Sequence, residues 1–336
     1  VTIAPHESGR PPTGLAPEPE LTVDGEPVEL ISPDSLTAEM VGHWTYLILE
    51  AAAFLMQGMH PVIADVTGEY SIARTDPGGR AIRSVDSVLR WTYGGIEAVE
   101  EGRRLRSLHQ PLTMRNAEGK HISALDPGAY QWVIATAYIT TVNAGPLLIG
   151  REFTDAEQQE LLRDNCRLAR LLRVPMKGYP ITREEFDDYF TRMIDTTLQA
   201  SPDVLESVGQ LRSGRPQPEA LEKVPALLRP LVALTARPAL RMTYLAMIAA
   251  MDPRVRAMLG VEPSAREKAQ VRLIFGAVRT AYRILPDRLT YFPLAYHARK
   301  HHECIQAMKR REDKSAAYRV RPKQALRPAA TTSNPK

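Results

Sequence analysis

Apolar positions along this chain recur three and four residues apart, and nowhere do four to eight residues alternate convincingly between turn signals. The pattern predicts helices and no sheet. It starts at Asp34, and Leu47, Leu49, Ala51 to Ala53, Phe54 and Leu55 make the stretch up to Gly58 apolar almost all round, as expected of one central, buried helix. His60-Pro61 restarts the chain as a short helix through Val62, Ile63 and Val66, which stops at the turn Thr75-Asp76-Pro77-Gly78-Gly79. Two helices follow, Arg80 to Tyr93 and Ile96 to Gln110, parted by Gly94-Gly95. Pro111 pushes Gln110 out of the helical region, so His109 falls in a last helical turn.

Later helix starts are legible from their caps. Thr154/Glu157, Thr182/Glu185 and Ser264/Glu267 have the spacing of capping boxes, each worth about 1 kcal/mol, and Asp126-Pro127 and Asp252-Pro253 place a cap before a first-turn proline. Prolines 225, 230 and 238 predict that 219–251 is cut into short helices, and 209–218 reads as an exposed loop. Residues 1–33 lack apolar period and predict an irregular surface arm, with one extended piece near 28–31. From Lys309 the period is lost again, which predicts a basic, disordered tail over 309–336. Between them, 34–308 is expected to form a single all-α globular domain of about ten or more helices.

Charge changes this picture little. The formal charge of +4 is concentrated after His297, where eleven Lys/Arg face three Asp/Glu, leaving the remainder slightly acidic. A slightly acidic folded part has no phosphate-binding footprint, which argues against nucleic acid as a partner, while the tail could meet an acidic one. Cys166 and Cys304 form no disulfide framework, zinc spacing or C-x-x-C-H haem attachment motif, and they suggest a reducing, cytoplasmic setting. The most apolar run, Trp44 to Met56, carries Glu50 at its centre and falls short of the roughly 20 residues a bilayer span needs, so no membrane span is expected.

Candidate chemistry gathers at Arg103-Arg104-Leu105-Arg106-Ser107-Leu108-His109, with Arg80, Arg83 and Ser84 one helix earlier. A lone histidine closing an arginine-studded helix suits a bound haem, one neutral imidazole for the iron and guanidinium forks for the propionates. It also suits a histidine stabilised by a helix C-terminus beside a solvated arginine face, the more frequent meaning of such spacing. Arg80 and Arg83 share a face, as do Arg106 and His109. Glu50 is a candidate proton relay if buried, and His60 reads as a core histidine. His297 and His301 have two-ligand spacing, but the surrounding basic residues oppose a cation. Nucleotide-loop, G-x-S-x-G and H-E-x-x-H signatures are absent from the sequence.

Taken together, Phe54 to Ala64, Asp76-Pro77-Gly78-Gly79-Arg80-Ala81-Ile82-Arg83-Ser84, Tyr93-Gly94, Arg103 to His109 and Ala124-Leu125-Asp126-Pro127 with Trp132-Val133 resemble the latex-clearing protein (rubber oxygenase) and mycophenolic-acid side-chain oxygenase family. The resemblance implies an all-helical oxidoreductase with a non-covalent haem b that uses dioxygen on a small, largely apolar substrate, in the manner of secondary-metabolite tailoring, with an electron donor as a further partner. It makes His109 the axial ligand of the iron and gives Arg106 the neighbouring family arginine. Arg80 and Arg103 join them as cofactor-binding residues. Arg83 and Ser84 fall on the distal side as the catalytic pair. Rubber oxygenases carry lysine where Arg83 stands, and an arginine cannot ligate iron, so Arg83 is expected to donate hydrogen bonds to an otherwise five-coordinate or water-bound site. Tyr70, Ile122 and Ile134 depart from the family pattern and imply a drier or differently used pocket. The alternatives that stay open are a non-catalytic helical ligand-binding or scaffold protein and a haem peroxidase-like enzyme.

Overall fold

Two helices with no consistently polar face form the centre of the computed structural model, which describes residues 22–23, 25–70, 76–116, 118–216, 221–222 and 224–319. The elements among these are β1 (Thr22–Val23), β2 (Glu26–Pro27), α1 (Leu36–Gly42), α2 (Tyr46–Gly58), α3 (Pro61–Tyr70), α4 (Pro77–Tyr93), α5 (Glu97–His109), β3 (Thr113–Arg115) and β4 (His121–Ser123). The helices α6 (Pro127–Leu148), α7 (Asp155–Leu171), α8 (Arg183–Thr196), α9 (Pro202–Ser213) and α10 (Arg229–Ala250) follow. The last are α11 (Pro253–Met258), α12 (Ala265–Ile284), α13 (Asp287–Thr290) and α14 (Pro293–Arg319). The all-α class holds.

The central pair is α2 and α6, and α10 packs across both. Trp132 on α6 is fully buried, donates its indole N–H to the Met56 carbonyl at 2.8 Å and stacks on Phe190 at 5.6 Å. Around this core α7 lies on α6, α5 lies on α7 and pairs with α4, and α8 backs α7. All three expected capping boxes form with both arms, and Asp126 and Asp252 cap α6 and α11 as their spacing requires.

Several expectations are corrected. The single helix expected over 34–58 is two, because the chain leaves the helix at His43 to pair with a strand-like segment far along the sequence. His43 bridges Tyr291, Phe292 N–H donates to the Gly42 carbonyl at 2.8 Å, and Trp44 N–H donates to Thr290 at 3.1 Å. The His43 ring is sandwiched at 4.0 Å by both Tyr282 and Tyr291, and a side chain at Gly42 would collide with the Tyr93 hydroxyl. Tertiary pairing overrides a locally continuous helical pattern here.

No sheet was expected, yet β3 and β4 form an antiparallel hairpin with Met114 opposite Ile122, and β1 pairs β2. Strands of two and three residues are too short for alternation to show. The region 219–251 is broken at Pro225, which precedes a short 3-10 turn over Ala226–Leu228, but it is not cut at Pro238, since α10 runs unbroken through it, just as α6 runs through Pro146. Pro238 lies in a largely exposed stretch where a freed carbonyl can be hydrated. Ala226–Ala250 is also, by length and composition, the one helix among the described residues able to cross a membrane, but Tyr244 to Ile248 are core. The expected loop 209–218 begins as the end of α9, which stops at Gly214 in the left-handed region (φ +68°). Helix α14 continues through Arg319, into the stretch expected as tail. Residues 1–21 of the expected arm and 320–336 of the tail lie outside the described residues.

Candidate active site

Helices α1 to α7 all turn side chains toward a common cavity of about 580 Å³, the size of a small-molecule site. On α2 the lining residues are Tyr46, Glu50, Phe54 and Gln57, and on α6 they include Tyr130, Ile134, Tyr138 and Thr141. Spacings of three and four put each set on one helical stripe. Helix α4 contributes Arg80, Arg83, Ser84, Ser87 and Trp91; α5 contributes Arg104, Leu105, Leu108 and His109; α7 adds Asp164, Asn165 and Leu168.

His109 is the last residue of α5, and its Nδ1 is cut off from solvent with no hydrogen-bond partner. Its ring meets Tyr130 edge-on at 6.4 Å, and the Tyr130 hydroxyl likewise lacks a partner. A helix C-terminus ordinarily favours the imidazolium. Here burial, followed by the charges of Arg80 and Arg104, pushes the His109 pKa down, so the ring is neutral near pH 7. The residue is half-buried, and its buried Nδ1 without a partner carries a desolvation cost of about 1–3 kcal/mol.

The arginines differ in how they are held. Arg80 lies over the Phe54 ring at 5.8 Å, and no carboxylate among the described residues is within ion-pair range of it. Burial, then Arg83, lowers its pKa, which for a guanidinium still leaves the charge in place. Arg104 is gripped as a fork by Glu101, with Nε and Nη2 donating to the two carboxylate oxygens at 2.7 and 2.6 Å. Ser87 donates to the same carboxylate at 2.6 Å, and Arg90 lies 3.6 Å away. The Arg104 bond is the main reason the Glu101 carboxyl sits below the ordinary range. Arg83 is exposed at the cavity rim, bonded through Nη2 to Asp76 at 3.1 Å, and Asp76 also caps α4 by accepting from Gly79 N–H at 3.0 Å. Ser84 lines the cavity one residue on.

The structure thus brings together four of the six expected site residues: His109, Arg80, Arg83 and Ser84. Arg103 is exposed and Arg106 half-buried, and neither lines the cavity. Arg104, between them, does. The sequence did not single out Arg104, whose selection depends on Glu101 and on Ser87 from the neighbouring helix, nor did it single out Tyr130, Trp91 and Asp164. Of the family departures, Ile134 and Tyr70 line the cavity, and the Tyr70 hydroxyl donates to the Thr113 carbonyl at 2.7 Å. His60, read as a core histidine, is buried with a partnerless Nδ1.

Farther along the cavity sit two carboxylates. Glu50 is 4% exposed, and burial pushes its pKa up to about 7 against the opposing hydrogen bond from Tyr46. Asp164 is 1% exposed and accepts from Arg167 at 2.8 Å on Oδ1. Glu50 Oε2 and Asp164 Oδ2 have no partner.

No solved structure matches this chain. Among curated proteins, uncharacterized proteins of Mycobacterium bovis and Mycobacterium tuberculosis are each 29% identical over 170 residues, 51% of this chain and 60% of theirs. The chain therefore matches somewhat over half the length of these relatives. Residues 38–280, which include every cavity-lining side chain except Ile31 and Thr37, match the catalytic domain described as ER-bound oxygenase mpaB/B′/rubber oxygenase. With the greater part of its length matched, this chain belongs to the mpaB/B′ and rubber oxygenase catalytic-domain family, a family of oxygenases.

Proposed function

We propose that this chain is a haem b-dependent oxygenase that uses dioxygen to cleave, oxygenate or dehydrogenate a small, largely apolar molecule held between α2, α4, α5, α6 and α7. The observation that carries the reading is the partnerless, buried Nδ1 of a neutral His109 in the same cavity as Arg80, a guanidinium with no carboxylate in ion-pair range among the described residues.

The donor set fits the group. His109 would supply the axial nitrogen, and its neutral state needs no proton released on binding. Arg80 and the Nη1 of Arg104 would pair with two propionates, and Glu101, by holding Nε and Nη2 of Arg104, keeps that guanidinium oriented before they arrive. Bound haem would supply the activation of dioxygen that no protein side chain provides. Arg83 and Ser84 are the hydrogen-bond donors placed to hold a polar atom of the oxidant or of the substrate, with Asp76 tethering Arg83 at the rim. Ile134, Phe54, Val62 and Leu108 give the cavity its apolar walls, which exclude water and select an apolar substrate.

The test is an absorption spectrum of the freshly purified protein with a pyridine haemochrome assay on the same sample. A Soret band with about one haem b per chain is expected, lost in His109→Ala. A colourless protein after expression with a haem precursor would overturn the reading, and a band that survives His109→Ala would move the ligand elsewhere.

A further inference from the structure

The cavity has a direction. Trp132 on α6 bonds to the Met56 carbonyl on α2, and Gln57 Nε2 donates to Thr136 Oγ1 at 3.1 Å, so the C-terminal end of α2 lies beside the N-terminal half of α6. Tyr130 with His109, and Phe54 with Arg80, mark this end. From Gln57 back to Glu50 is seven residues, about 10 Å along the helix axis. Asp164 precedes Asn165, whose side chain donates to the Ile134 carbonyl at 3.0 Å, one turn along α6 from Tyr130. Glu50 thus lies about two helical turns, and the neighbour of Asp164 about one turn, from the side chains that mark the His109 end.

Each carboxylate has one oxygen engaged by the protein, by Tyr46 and by Arg167 respectively, and one buried oxygen without a donor. Leaving such acceptors unmade is costly, and although Tyr46, Thr141 and Asn165 also line the cavity, none of them donates to either of these two oxygens. We propose that the Glu50 and Asp164 end of the cavity is a recognition subsite for the hydrogen-bond-donating headgroup, a hydroxyl or an amine, of an elongated and otherwise apolar substrate. The headgroup anchors at the carboxylates, and the apolar body extends along the α2 and α6 stripes toward His109. Where the molecule reacts is then set by its length from the headgroup. This rests on reading the cavity as the catalytic pocket, but its test does not require haem.

The experiment is equilibrium dialysis of the purified full chain against decan-1-ol and against its methyl ether, which has the same apolar body and no donor, with haem assayed on the same sample. The wild-type chain is expected to bind the alcohol about tenfold more tightly than the ether. Glu50→Leu should bring that ratio close to one, and Glu50→Gln, which keeps an acceptor, should retain most of it. Asp164→Leu provides a second, independent removal, and circular dichroism confirms folding of each variant. A wild-type ratio near one, failure of both ligands to bind, or a ratio unchanged in both leucine variants would overturn the subsite. A colourless protein that still discriminates would sink the haem reading and leave the subsite standing.

Discussion

Behind the cavity-lining faces of α2 and α6, Leu49, Met56 and Trp132 are at most 2% exposed and are held by contact alone, apart from one indole bond. On the α4 and α5 side the cavity is lined by guanidiniums, and what orients them is carboxylate chemistry: Glu101 for Arg104 and Asp76 for Arg83. Dispersion and hydrophobic burial respond to volume and hardly to pH, whereas an ion-paired fork responds to the protonation and geometry of its partner. One wall fixes shape and the other fixes aim, so single substitutions should affect stability and cofactor capture in different proportions.

The largest stability effect is expected in the apolar wall. Trp132→Ala should cost about 3–5 kcal/mol in urea unfolding, because it empties a fully buried site and leaves the Met56 carbonyl without its donor. A loss below about 1 kcal/mol would mean that this wall can collapse and does not set the cavity's shape.

Glu50 sharpens the contrast, being a carboxylate placed on the apolar wall. Its folded pKa of about 7 lies above the unfolded value of 4.5, so the folded state keeps a proton that the unfolded state gives up. The stabilising contribution is complete below the unfolded pKa and is lost as pH rises through about 7, a difference of the order of 2–3 kcal/mol between pH 4 and pH 8. Glu50→Gln should flatten this dependence and raise the midpoint of unfolding at pH 8. An unchanged pH profile would show that Glu50 is solvated.

On the charged wall, Glu101→Gln should cost only about 1–2 kcal/mol, since Arg104 is half exposed and screened, yet lower haem affinity about tenfold in a hemin titration. Because the Glu101 pKa is lowered, the wild-type pair contributes above the unfolded carboxyl pKa and is lost as pH falls through the folded one. A full stability loss with unchanged hemin affinity would make that wall purely structural. The smallest effect, about 1 kcal/mol, is expected for Thr154→Ala, which removes one arm of a capping box remote from both walls and should leave hemin binding untouched.

The same contrast explains what could be read in the sequence. Caps were legible because Thr154/Glu157 and Ser264/Glu267 act within four residues. His109, Arg80, Arg83 and Ser84 were legible as a set because family resemblance orders them along the chain, and helical spacing places each pair on a face. The choice of Arg104 over Arg103 and Arg106 was not legible, since it depends on Glu101 and Ser87 meeting from two helices. Nor was the break at His43, which is imposed by residues about 250 positions away. Tertiary partners decided these, and local patterns carry no trace of them.

That break also governs the order in which the molecule is completed. Helix α1, which supplies Thr37 and Val41 to the cavity, is fastened through Gly42, His43 and Trp44 to Thr290 and Phe292, and through Glu39 to Tyr291 and Arg299 at 2.6 and 2.8 Å. During synthesis these partners emerge some two hundred and fifty residues after α1 does, so α1 can be seated only once they have been made. The part of the cavity wall that Thr37 and Val41 form is therefore closed by residues from the far side of the whole helical domain.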